Sequence, residues 1–80
     1  MHFTIVGEIR NVKPIAAGKS VHIRRHLIER FGTRRWRKMT GEATVRFDDG
    51  TIARAELHWF EAHGVRRVYF KRKRTLDWLS

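Results

Sequence analysis

The stretch Glu56, Leu57, His58, Trp59, Phe60, Glu61, Ala62, His63, Gly64 carries the densest polar chemistry of the chain. An imidazole exchanges protons near neutrality, and a neighbouring carboxylate or cation tunes which proton it exchanges. Glu56 and His58 stand two apart, so on a strand they share a face. Arg46, Arg54, Arg67, Tyr69 and Lys71 are expected on that same face. Such a set suits attack of a ribose 2′-hydroxyl on its own phosphodiester, with His58, Glu56, His63 or Tyr69 as base or acid and the cations stabilising charge. The same residues also suit a sheet face laced by cross-strand ion pairs, with His63 merely in a turn. Five His and eight acidic residues show no spacing such as H-E-x-x-H, so neither a metal nor a cofactor is expected.

Net charge points to the partner. Eighteen Lys and Arg oppose eight Asp and Glu, giving +10 over 80 residues. Self-repulsion on this scale opposes folding, and a polyanion that releases its counterions on contact is the simplest compensation. Thirteen of the cations are Arg, whose planar fork binds phosphate bidentately and stacks on bases. RNA is therefore the expected partner, with DNA second and an acidic protein third. A membrane is not expected, because the cations form no basic amphipathic tail.

Two basic runs refine this picture. Arg34, Arg35, Trp36, Arg37 and Lys38 combine four cations with one large aromatic. The cations would track a phosphate backbone while Trp36 either stacks an unstacked base or turns into the core. In Lys71, Arg72, Lys73 and Arg74, strand alternation places Lys71 and Lys73 beside Arg67, with Arg72 opposite. Gly18, Lys19 and Ser20 look like the end of a phosphate-binding P-loop, but that pattern requires Gly where Lys13 stands. An ordinary helix cap at Ser20 explains them better.

These residues must be held by a small fold. Eighty residues allow a single domain, residues 1–80, which at this size buries only about 60 to 65% of the surface its unfolded chain exposes. With no Cys, no disulfide assists the core, and a cytoplasmic setting is the default. No apolar run approaches the roughly 20 residues of a membrane span, and around His2 and Phe3 no basic region leads into an apolar one, so neither spanning nor secretion is expected.

Phe3, Ile5 and Ile9 alternate with polar residues and predict a first strand, followed by a loop from Asn11 to Lys19. Ser20 caps a predicted helix from Val21 to Phe31, whose apolar arc holds Val21, Ile23, Leu27, Ile28 and Phe31, and Gly32 ends it. Alternation then predicts a hairpin. A three-residue loop with Gly50 as a bulge pairs Phe47 with Thr51, Val45 with Ala53 and Ala43 with Ala55, keeping the apolar face intact. Val65 to Lys73 supplies a fourth strand, and Thr75 caps a short helical turn. The expected fold is α+β in the order β-α-β-β-β, with one main helix packed on one face of a mainly antiparallel four-stranded sheet.

The element order, the basic face and the residues Arg54, Glu56, His58, Arg67, Tyr69 and Lys71 resemble the compact metal-independent ribonuclease toxins grouped with barnase, EndoU, colicin D and RelE. That resemblance implies RNA cleavage by Arg, Lys, His, Glu and Tyr side chains on a sheet. It also implies an acidic antitoxin or immunity protein as partner. The function expected from the sequence is thus a small basic RNA-binding protein acting as an endoribonuclease toxin. The alternatives are a non-catalytic RNA- or DNA-binding module and an adaptor for an acidic protein.

Overall fold

The computed structural model describes residues 2–17 and 25–80. Gly18, Lys19, Ser20 and the expected helix start at Val21 lie outside the described residues. Four strands, β1 (Phe3–Ala17), β2 (Arg37–Phe47), β3 (Ile52–Ala62) and β4 (Val65–Trp78), form one antiparallel sheet in chain order, and helix α1 (Arg25–Phe31) lies between β1 and β2 in sequence.

Alternation of small and branched apolar residues with polar ones builds the central hairpin. Val45 faces Ala53 and Ala43 faces Ala55, as expected from keeping the apolar positions together. The Phe47 amide donates to the Thr51 carbonyl at 2.9 Å, closing the loop. Gly50 holds the φ of +88° that this loop demands, and Asp49 accepts bonds from the Thr51 amide and hydroxyl. Those two bonds hold the Asp49 carboxyl below its ordinary pKa.

The inward residues of the hairpin, including Val45, Ala53, Ala55, Leu57 and Trp59, are buried on what we term the first face. Their cover comes from the edge strands: Phe3, Ile5 and Ile9 of β1 and Phe70 of β4 pack against them. Arg67 and Arg72 complete it, lying over the rings of Trp59 at 5.1 Å and Phe47 at 5.5 Å. This closure depends on Gly41, where an added Cβ would lie 2.7 Å from Ile9 and 2.9 Å from Trp59.

Here the structure corrects the expected architecture: a helix does not pack as a layer on the sheet. α1 has seven residues and buries only Leu27, while Ile28 of the expected apolar arc is exposed. Because the edge strands already cover the first face, that face offers no open apolar area for a helix to cover. Leu27 instead joins Trp36 and Ala62 in a second, smaller cluster, packed with Phe31, Phe60, Val65 and Val68. Phe60 shares the face of His58 on β3, so this cluster lies at one end of the second, polar face. Gly32 ends the helix as expected, with φ +83° and its amide bonded to the Ile28 carbonyl at 2.7 Å.

Two boundaries also move. The expected loop after Asn11 is strand to Ala17, because bulges with positive φ at Gly7 and Asn11 bend β1 without ending its pairing. Pro14 is tolerated because β1 is an edge strand. The expected C-terminal helical turn is also absent. β4 continues to Trp78, and backbone bonds between Ile52 and both Leu79 and Ser80 hold the chain end against β3.

Candidate nucleic-acid interface

The second face carries the charged side chains of the central strands. Glu42, Arg54 and Asp77 line up across β2, β3 and β4, with Arg54 bonded to both carboxylates, and Asn11 of β1 donates to Glu42. Asp77 and Glu42 in turn hold the Arg54 pKa above its ordinary value. Arg54 is therefore committed within the protein. Arg46 lies farther along the same face, opposite Ile52.

Next to this network, Glu56 accepts hydrogen bonds from His58 Nε2 at 2.8 Å and from Arg74 Nε at 3.0 Å. The bond from His58, followed by the charge of Arg74, holds the Glu56 carboxyl below the ordinary glutamate range. An ionised carboxylate can only accept, so Nε2 of His58 must carry the proton. Nδ1 is then the ring atom left to exchange a proton with a ligand. Strand alternation puts Glu56 and His58 together, and the pairing of Glu56 with Arg74 adds the cation that keeps the carboxylate charged.

His58 lines a cleft of about 550 Å³ together with His26, Lys38, Tyr69, Lys71 and Lys73. The β3–β4 pairing places Lys71 opposite His58. Among the described residues, neither Lys38, Lys71 nor Lys73 has a carboxylate within ion-pair distance, in contrast to Arg37, Arg54, Arg67 and Arg74. Three uncommitted ammonium groups beside an anchored imidazole can hold a phosphate next to a proton acceptor. Tyr69 sits at a bulge in β4 with φ +57°, a conformation that costs an L-residue about 1 to 2 kcal/mol.

Of the residues expected from sequence, His58, Glu56, Tyr69, Lys38, Lys71 and Lys73 come together here. The others do not. Trp36 is 1% exposed and cannot stack a base; it is core, and its Nε1 has no hydrogen-bond partner among the described residues. Arg34 ties α1 to the β3–β4 turn by donating to the Phe31 carbonyl at 2.7 Å and the His63 carbonyl at 3.2 Å. His63 itself lines a separate cleft with Ala17, Arg35 and Arg37. Arg37 pairs with Glu61, which also accepts from Trp59 Nε1. Arg67 is corrected outright. The bulge at Tyr69 shifts the side-chain alternation, so Arg67 stacks on Trp59 at the first face rather than joining His58.

His26 was not expected in the site. On a helix wheel it falls on the polar arc, which gives no sign that α1 leans toward β4. The available signal was its neighbour Leu27, since an apolar-arc residue brings the polar position beside it to the rim of whatever contact it makes. Among the described residues no group of three or more His, Asp or Glu converges to hold a metal ion. Compared with known proteins, the chain matches no family model, no curated protein and no solved structure.

Proposed function

We propose that this protein binds RNA in the cleft that α1 forms with β2, β3 and β4 and cleaves it by transfer of the phosphodiester to the neighbouring ribose 2′-hydroxyl. The observation that carries this reading is the anchored His58 beside three uncommitted lysines. Lys38, Lys71 and Lys73 hold the phosphate and offset the charge that builds on its oxygens. His58 Nδ1 takes the 2′-hydroxyl proton as the 2′-oxygen bonds to phosphorus. The bond from phosphorus to the 5′-oxygen breaks, and the leaving oxygen takes a proton from solvent. His58 then returns its proton to solvent, and the product is a 2′,3′-cyclic phosphate.

Glu56 acts through His58. Its bond to Nε2 fixes the tautomer that leaves Nδ1 basic and stabilises the imidazolium formed during transfer. An acidic protein that covers the lysines would silence the site, which fits the toxin-like resemblance. A second reading is favoured by the number of polar-face groups already satisfied by one another: the sheet binds RNA without cutting it, and the His58 and Glu56 pair stabilises the face.

The deciding experiment incubates RNA with the protein in EDTA and examines the product ends. Cleavage leaving 2′,3′-cyclic phosphate, with DNA resistant, is the expected result. His58→Ala should lower the rate by about 10² or more while nearly preserving RNA affinity. Intact RNA after long incubation with folded, RNA-binding protein would leave the binding module. Absence of binding at low salt would favour an adaptor for an acidic protein.

A further inference from the structure

We propose that Tyr69 and His26 form a nucleobase subsite, so that the cleft takes single-stranded RNA with one unstacked base seated against this aromatic pair. The inference rests on the RNA reading above and adds the strand state of the ligand and the residues that hold a base.

Tyr69 is where β4 departs from a regular strand. Pairing passes from His58 with Lys71 to Phe60 with Val68, so β4 spends one residue more than β3 across this step. Tyr69 adopts φ +57° there. Elsewhere among the described residues, left-handed positions are filled by residues that tolerate them, Asn11 at +55° and Gly7, Gly32, Gly50 and Gly64 at +79° to +88°. A bulky aromatic at such a position is the exception, and strain of this kind gathers at functional sites. Core packing does not account for it, because Tyr69 is 43% exposed at the cleft.

The ring is nonetheless held in place. His26 meets it at 4.8 Å with an interplanar angle of 70°, and Phe31 at 6.5 Å and 82°. Both contacts are edge-to-face, and among the described residues no ring is stacked parallel on Tyr69. An aromatic that is fixed yet unstacked, beside Lys38, Lys71 and Lys73, supplies both components of single-strand recognition: a surface for the base and cations for the backbone. Duplex RNA keeps its bases stacked inside and presents none to such a surface. The other large aromatics are placed differently, with Trp36 buried and Trp78 beside Phe47 on the first face.

The test compares wild type, Tyr69→Phe and Tyr69→Asn, using a short RNA that contains 2-aminopurine, free or annealed to its complement. Wild type and Tyr69→Phe should bind the single strand more tightly than the duplex and quench the 2-aminopurine emission. Tyr69→Asn, whose new residue suits the backbone angle, should remain folded by circular dichroism. It should lose about tenfold in single-strand affinity together with the quenching, while its duplex affinity stays unchanged. Equal single-strand affinity in Tyr69→Asn overturns the subsite and leaves RNA binding intact, as does a wild type that prefers duplex without quenching. A folded wild type that binds RNA in neither form overturns both readings.

Discussion

Arg67 and Lys71 stand four positions apart on β4 and lie on opposite faces of the sheet. Arg67 covers the Trp59 ring at 5.1 Å, and Lys71 pairs across from His58. Alternation alone would have put both on one face; the bulge at Tyr69 separates them.

The two cations should therefore respond differently to removal. Lys71→Ala should weaken RNA binding and reduce the slope of log K against log salt by about one. Arg67→Ala should leave that slope unchanged and lower thermal stability, since it uncovers Trp59 and removes an ion pair with Glu61. Titrations across a salt series, with melting curves on the same samples, separate the outcomes. An unchanged slope in Lys71→Ala would remove Lys71 from the phosphate contacts.

Trp36 provides a second contrast. Truncation to Ala should cost about 3 to 5 kcal/mol through loss of the Leu27 and Ala62 cluster. Trp36→Phe should cost less, because the smaller ring still fills part of the site and the unpartnered Nε1 goes with the indole. Binding per folded molecule should be the same in wild type and Trp36→Phe. A selective loss of RNA affinity there would contradict the assignment of Trp36 to the core.

At Gly41, adding a single methyl group should destabilise the fold by about 1 to 3 kcal/mol, because Ile9, Trp59 and the Arg10 carbonyl leave no room for it. Denaturant unfolding of Gly41→Ala measures this. Pairing it with Ile9→Ala, which removes the Cγ2 methyl nearest the added Cβ, should give a combined loss smaller than the sum of the two single losses.

Glu56 sets an acid limit on stability. Its pKa is lowered in the folded chain, so its contribution is fully present above the ordinary glutamate pKa. That contribution is lost as pH falls through the lower folded value, where a protonated carboxyl no longer holds His58 and Arg74. Melting temperature followed from neutral to acid pH should fall in wild type, and the part due to Glu56 should be missing in Glu56→Gln. A Glu56→Gln profile that keeps the full wild-type acid dependence would show that the carboxylate is not held by these bonds.

What the sequence disclosed depended on local regularity. The register of β2 and β3 followed from alternation and from Gly50, and the end of α1 followed from Gly32. The grouping of Glu56 with His58 needed only their spacing of two. Bulges were not legible, because Asn11 and Tyr69 adopt positive φ without a glycine to announce it. For that reason alternation predicts neither the extension of β1 to Ala17 nor the face of Arg67. The helix departs from expectation for another reason: an apolar arc shows that a face needs covering, not that the sheet has an open face to offer. Thr75 suits a helix cap, yet the bonds from the chain end to Ile52 draw this segment into β4.

The two apolar clusters have a consequence for how the molecule opens. The larger one ties β2 and β3 to both edge strands, whereas the smaller one rests on Leu27, Trp36 and Ala62 and carries the seven-residue helix. Amide hydrogens of α1 should exchange with solvent through a partial opening that costs much less than global unfolding, while those of the central hairpin wait for the whole molecule. The cleft straddles this boundary, with His26 on the weaker unit and His58 and Lys71 on the stronger. If the cleft holds RNA as proposed, opening at α1 would free one wall while the other stays fixed, and a long strand would enter from the side without being threaded by its end.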